Sequence, residues 1–301
     1  MEPDAHQALI WREGGDWLGP AAAFIRAGIR REEPVWVGIC PPAGSALADR
    51  LPGQPLVSFH DDGRLGRNPG RIIPAMLDFA GRHPGRPLRY LSQPLRAGQS
   101  DAECAEAARH ESLVGLALAG RAATVMCVYE ARGLAGQAVS CAEQTHATLV
   151  DGGPPEASRR YAGPGVLPSP CDPPLAPPPA SAVPLTYGAD LRRVRMLVTR
   201  CASEAGLADG RAADLVLAAS EVAANTLRHA GGTGTLRVWA TAEEVICQLA
   251  DPGRIEDPLA GRRRPASDVN GLGLWVVNQL CDLVELRSGA GGTTVRLHMR
   301  R

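Results

Sequence analysis

Eleven of the chain's 26 prolines fall between Gly152 and Pro184, in the stretch GGPPEASRRYAGPGVLPSPCDPPLAPPPASAVP. Proline fixes φ and lacks a backbone N–H, so neither a helix interior nor an inner strand tolerates such a run, and no apolar period crosses it. The chain is therefore expected to fold as two bodies, with the proline stretch as an extended, semi-rigid tether that packs no core. The spacing sets a first domain at 1–150, a linker at 151–185 and a second domain at 186–301, within 301 residues. Each domain is long enough to bury its own core.

In the first domain, segments 34–40, 55–61, 87–93 and 123–130 are short apolar runs rich in valine, leucine and aromatics. They alternate with stretches of helical i, i+3, i+4 spacing, a pattern that predicts a layered α/β domain with a mainly parallel sheet. Ligands in such folds sit beyond the strand ends, where Cys40, His60 and Gln93 fall. In the second domain two helices come first, the later being RAADLVLAASEVAANTLRHA, and then a strand pair around Ala242 to Glu244, a helix and a last hairpin. That order predicts an α/β sandwich with a mostly antiparallel sheet and helices on one face.

Charge narrows the chemistry. The 32 basic residues balance 32 acidic ones, and every base is arginine. Without lysine there is no P-loop GK[ST], no strand lysine of a eukaryotic-type protein kinase and no Schiff base. Zero net charge gives no footprint for direct nucleic-acid binding. The eight cysteines contain no CxxC and mostly sit in apolar runs, so buried reduced thiols are expected. No apolar span of membrane length and no apolar export segment is visible, and a cytoplasmic protein without membrane contact is the expectation.

Four clusters in the second domain carry chemistry. Glu221, Asn225 and His229 stand four apart and share one helix face. Asp251 and Gly253 end a strand in LADPGR, Gly271 and Gly273 open a helix in NGLGLWVV, and Thr293 and Thr294 enter the final strand in GGTTVRL. A helix N-terminus with free N–H groups favours an anion.

These clusters, in this order, resemble the boxes of the GHKL (Bergerat-fold) ATPases, and ExxxNxxxHA resembles the anti-sigma-factor serine kinases among them. The resemblance implies ATP with Mg²⁺ as cofactors: Asn225 as the magnesium ligand, Glu221 as general base, Asp251 and Gly253 at the adenine, Gly271 and Gly273 at the phosphates, and Thr293 and Thr294 behind the base. It assigns His229 no chemical role. The family's first glycine box often reads DxGxG, whereas here Ile255 replaces the second glycine. The lid RIEDPLAGRRRPASDV carries Arg262, Arg263 and Arg264, read either as phosphate or partner contacts or as a solvated run.

Residues 5 to 150, through HQALIWREGGDW, LGRNPGRIIPAMLDFAGRH and AARHESLVGLAL, resemble the MEDS sensory domain. A small-molecule signal is what that likeness implies, with His6, His110, Glu111 and Tyr129 as pocket candidates. Trp11, Trp17 and Trp36 are expected as packing residues. Together the two resemblances imply a sensor-controlled anti-sigma factor. Its kinase domain would sequester a sigma factor and phosphorylate a serine of a STAS-type antagonist, and the likeness to kinases that are commonly dimers implies a homodimer. The alternatives are a nucleotide-dependent binding module without phosphotransfer, and a histidine-kinase remnant, against which stands the absence of a dimerising helix pair bearing a phosphoacceptor histidine.

Overall fold

The computed structural model describes residues 5–12, 17–60, 65–264 and 271–301. It divides into two compact units, Met1–Pro173 and Pro174–Arg301.

The first unit is built on strands β1 (His6–Trp11), β2 (Val35–Gly38), β3 (Val57–His60), β4 (Leu88–Ser92), β5 (Ala123–Glu130), β6 (Thr148–Val150) and β7 (Glu156–Ala157). They lie in the order β3-β2-β4-β5-β1-β6-β7, all pairs parallel except β6 with β7. Helices α1 (Leu18–Arg30) and α2 (Ala43–Asp49) cover one sheet face. Helices α3 (Ile72–Arg82), α4 (Asp101–Ala117) and α5 (Gly136–Thr145) cover the other. Strand alternation sorts the side chains: Ala8 and Ile10 of β1 join the α3–α5 core, while Leu9 joins the α1–α2 core. A capping box starts α4, with the Ser100 hydroxyl accepting the Glu103 N–H at 3.3 Å and the Glu103 carboxylate accepting the Ser100 N–H at 2.8 Å. Trp36 is fully buried, Trp17 is buried and Trp11 half-buried, as packing residues should be. Strand β1 lies inside the sheet between β5 and β6, a place the sequence does not announce because HQALIW shows no clear alternation.

Two expectations are corrected here. The proline stretch is not a free tether. Through Pro173 it belongs to the first unit, where β7 pairs with β6, the Gly165 N–H donates to Ser112 O at 2.7 Å, and the Ala162 N–H donates to Gln144 O at 3.0 Å. Prolines forbid internal ladders, but the N–H groups between them remain free to bond neighbouring elements. Nor are all thiols reduced: Cys141 and Cys171 form a disulfide with a Cα–Cα distance of 5.6 Å. Thirty residues separate the pair in sequence, so only the fold brings them within bridging reach.

The second unit has a five-stranded antiparallel sheet in the order β11-β12-β10-β9-β8. Its strands are β8 (Val183–Tyr187), β9 (Gly234–Ala240), β10 (Glu244–Asp251), β11 (Leu283–Gly289) and β12 (Gly292–Arg300). Helices α6 (Arg192–Glu204), α7 (Asp209–His229) and α8 (Leu272–Leu280) pack on one face through Val194, Val198, Leu215, Ala219 and Val277 against Leu236, Val238, Cys247 and Leu297. This is the α/β sandwich expected from the sequence, with β8 drawn from the end of the proline stretch. The Asp190 carboxylate accepts the Arg192 N–H at 3.0 Å, which satisfies a free amide at the start of α6. No described helix is long and apolar enough to cross a membrane.

On the opposite sheet face, buried His298 of β12 lies between Glu244 at 3.1 Å and Glu285 at 2.9 Å. Burial alone would drive the imidazole neutral, but the hydrogen bonds and charges of Glu244 and Glu285 outweigh it and lift its pKa to about 9. A pKa raised on folding stabilises fully below the unfolded value near 6.5 and is lost as pH rises through about 9. Denaturant titrations of the chain should therefore show the second unit losing roughly 3 kcal/mol between those pH values, and His298→Gln should flatten the profile.

Candidate functional site

A cavity of about 840 Å³ opens in the second unit between α7, the end of β10, segment 252–264, the start of α8 and β12. That volume suits a small-molecule ligand.

One wall is built on Asp251. Its Oδ1 accepts the Gly253 N–H at 2.8 Å and its Oδ2 accepts the Thr226 hydroxyl at 2.7 Å. Thr226 is buried on α7 and shares a 2.9 Å hydroxyl contact with Tyr187 of β8, whose phenol burial pushes above its ordinary pKa. Thr293 faces Asp251 across the β10–β12 register, and its hydroxyl donates to Gly253 O at 2.9 Å. A Cβ at Gly253 would meet Ala230 Cβ at 2.6 Å and Asp251 Oδ1 at 2.9 Å, so only glycine fits this turn. Val222, Ile255, Leu259, Leu274 and Val295 supply apolar surface between these polar groups. The carboxylate is thus fixed in direction while each oxygen keeps a lone pair for a further donor.

The other wall joins two helices. Gly271 sets the N-terminus of α8 with φ 95°, a left-handed conformation that favours glycine. Two residues on, a Cβ at Gly273 would lie 2.9 Å from Glu221 Oε2 and 3.6 Å from Asn225 Oδ1. Glycine there lets the α8 N-terminus come directly against the polar face of α7. Asn225 and His229 line the cavity, whereas Glu221 sits beside Gly273 one turn away. The Asn225 amide oxygen accepts a hydrogen bond from Arg228 Nη2 at 3.0 Å, so it already faces positive charge.

The three lid arginines separate. Arg263 and Arg264 line the cavity, Arg263 bonded to Asp257 at 2.9 Å and Arg264 lying 5.6 Å from the Trp275 ring centroid. Arg262 is buried and does not line it. Residues 265–270, the rest of the lid, lie outside the described residues. Ile255, in place of a second glycine, lines the cavity, and its N–H donates to Ser288 Oγ at 2.8 Å. Thr294 is absent from the lining: strand alternation turns it to the opposite sheet face from Thr293. Thr226 and Tyr187 escape sequence reasoning, since a threonine within an alanine-rich helix face looks like packing.

In the first unit the structure gathers His6 and Glu111, as the sequence suggests, and adds two residues that it does not. His6 Nε2, His146 Nε2 and Cys127 Sγ lie 3.0, 3.0 and 3.2 Å from the same oxygen, Glu111 Oε2. All four residues are buried. Burial, reinforced by His146, pushes the His6 imidazole down to about 4. Burial would raise the Glu111 carboxyl, but His146 and His6 outweigh it and hold it well below the usual range. The Tyr129 ring meets His146 edge-on at 5.5 Å, whereas His110, though buried on α4, adds no donor to the group. Cys127 and Tyr129, two apart on β5, share one face, a signal that the alternation of VMCVYE could have given. His146 follows α5 with nothing local to mark it. The strand-end residues fall elsewhere: His60 stacks on Trp36 at 5.3 Å, Cys40 Sγ accepts from Arg96 Nη1, and the Gln93 N–H bonds Gly38 O.

Comparison with known proteins agrees with this division. Residues 184–299 match the family model described as a histidine kinase-like ATPase domain, and residues 5–147 match that of MEDS, the methanogen/methylotroph DcmR sensory domain. Among solved structures the chain is similar to a crystal structure of the RsbU and RsbW domains of a Mycobacterium tuberculosis protein, at 24% identity and a TM-score of 0.30. The match covers 42% of this chain and 34% of that one, so it spans about a third of its relative's length. No curated protein matches the chain. Residues 5–147 are a MEDS domain and residues 184–299 a histidine kinase-like ATPase domain.

Proposed function

We propose that the chain is an anti-sigma factor with an ATP-dependent serine kinase domain, governed by a small-molecule signal at its MEDS domain. The observation that carries this reading is the meeting of Glu221 and Asn225 with the glycine-opened N-terminus of α8, beside a cavity whose far wall is Asp251 and Thr293. ATP binding follows from the domain type. The residues fit the nucleotide: the missing Cβ at Gly273 clears the phosphate side of the helix terminus, and Asp251 presents an oriented acceptor for an exocyclic amine.

In this reading Asn225 offers its amide oxygen to magnesium, a hard cation suited to oxygen donors. Magnesium–ATP, when bound, supplies the phosphoryl group. Glu221 takes the proton from a serine hydroxyl of a STAS-type antagonist as that oxygen attacks the γ-phosphorus, and ADP leaves. The free N–H groups after Gly271 orient the phosphates, and Arg263 and Arg264 provide the cationic help that lysine gives elsewhere. The unmodified antagonist would free a sequestered sigma factor, and its phosphorylation would keep the sigma factor bound. A cytoplasmic, dimeric protein is part of the same proposal.

A second reading, nucleotide-dependent partner binding without phosphotransfer, draws on Ile255, which crowds the lid's start where a glycine would give freedom. Labelled ATP with an antagonist of the same cell separates the two. Phosphoserine on the antagonist supports the kinase, and binding without transfer selects the binding module.

Asn225→Ala should lower magnesium-dependent ATP affinity at least tenfold by calorimetry, and unchanged affinity would overturn the site. Gly273→Ala tests the helix junction differently. Its Cβ is crowded by the flexible end of Glu221 alone and touches Asn225 at ordinary contact distance, so melting temperature should hold or rise, alanine being favoured over glycine by about 1 kcal/mol in a helix. Phosphotransfer should nonetheless fall, because Glu221 is pushed aside. An unimpaired rate would separate Glu221 from the chemistry.

A further inference from the structure

The buried group of the MEDS domain is independent of the nucleotide reading. His6 comes from β1, Cys127 from β5, Glu111 from α4 and His146 from the end of α5, and their four ligand atoms all lie within 4.8 Å of one another. His6 is 4% exposed, Glu111 and Cys127 1% each and His146 0%. Burying polar atoms this deeply is costly unless each finds a partner.

Their mutual hydrogen bonds all converge on a single atom, Glu111 Oε2. His146 Nδ1 lies 2.8 Å from the Ala142 carbonyl oxygen, which can only accept, so Nδ1 carries the proton. Nε2 then points toward Glu111 Oε2 at 3.0 Å, either as a second N–H or as a lone pair facing another acceptor. In either case a cation, a proton or a metal ion, lies between the two atoms. The buried His146 Nε2 has no contact of hydrogen-bonding length other than Glu111 Oε2 among the described residues. A proton on His146 Nε2 would answer that contact, with His6 and Cys127 donating to the same oxygen, so that three donors crowd one acceptor atom. A metal ion uses all four.

The donor set points to the class of ion. Two imidazole nitrogens, a carboxylate oxygen and a sulfur make a borderline-soft N₂OS set, the kind that binds zinc and its first-row neighbours rather than magnesium or calcium. In a tetrahedral zinc site, bonds of about 2.0 to 2.3 Å place donors roughly 3.3 to 3.8 Å apart. The observed separations, from 3.0 to 4.8 Å, bracket that range. Charge closes as well: an ionised carboxylate and a thiolate sum to −2, which a divalent ion neutralises within the core. The Ala142 carbonyl, fixing the His146 tautomer, is the outer partner that metal-binding imidazoles usually have.

We infer that the MEDS domain holds one divalent transition-metal ion of the zinc class, ligated by His6, Glu111, Cys127 and His146. The ion would pin the central strand β1 to α4 and α5, which makes it a fixed point of the sensory core.

The full-length chain, stripped with a chelator and titrated with Co²⁺, provides the test. One ion per chain should bind with a near-ultraviolet thiolate-to-cobalt charge-transfer band. Cys127→Ser should abolish the band, and His146→Gln should weaken binding roughly tenfold or more. Absence of the band in the wild-type chain, or metal content unchanged in the Cys127→Ser/His146→Gln double variant, would overturn the site. If either variant fails to fold by circular dichroism, X-ray absorption of the zinc-loaded wild-type chain decides. One sulfur among nitrogen and oxygen neighbours supports the assignment, and a sulfur-free shell overturns it.

Discussion

The hydrogen bond from Thr226 to Asp251 organises the second unit. Thr226 is buried on α7, Asp251 ends β10, and Tyr187 of β8 closes the chain of contacts from the far edge of the sheet. One buried hydroxyl thus ties a helix to two non-adjacent strands and aims a carboxylate into the cavity. A buried, satisfied polar network of this kind specifies a single arrangement, since any slip of α7 along the sheet would leave a carboxylate and two hydroxyls without partners. The turn to Gly253 and the Thr293 hydroxyl are positioned by the same carboxylate and its facing strand.

Glycine does the corresponding work at the other wall. A helix terminus can meet the polar face of α7 only if nothing projects from it at Gly273, and the left-handed start at Gly271 turns the chain into that helix. The interaction of Arg228 with Asn225 shows how a chain without lysine manages charge: planar guanidinium groups of Arg228, Arg263 and Arg264 border the site from exposed positions. Arginine stays charged and delivers several donors in a fixed fork, so these groups contribute direction as well as charge.

The first unit has the opposite economy. Its core surrounds Glu111 with two imidazoles and a thiol drawn from separate elements, and the proline stretch is fastened back on it by β7 and the Cys141–Cys171 bridge. The same proline composition that forbids regular structure leaves carbonyls and scattered N–H groups available to neighbours, which is how a segment with no core of its own becomes part of a surface layer.

The sequence by itself determined the two-body organisation, the mainly parallel and antiparallel sheets, and the helix-borne row of Glu221 and Asn225. Local periodicity and the 3.6-residue repeat suffice for those. It also marked Asp251, Gly253, Gly271, Gly273 and Thr293, because strand ends and helix starts are punctuated by glycine and polar residues. Tertiary structure decided what depends on contacts distant in sequence. It separated Thr293 from Thr294 by strand face, recruited Thr226 and Tyr187 behind Asp251, split Arg262 from Arg263 and Arg264, and joined Cys141 to Cys171. It also brought Cys127 and His146 to His6 and Glu111, whose elements are up to 140 positions apart in the chain. Spacing along a chain records which residues share a helix or strand face. Which faces meet is settled only when the layers pack.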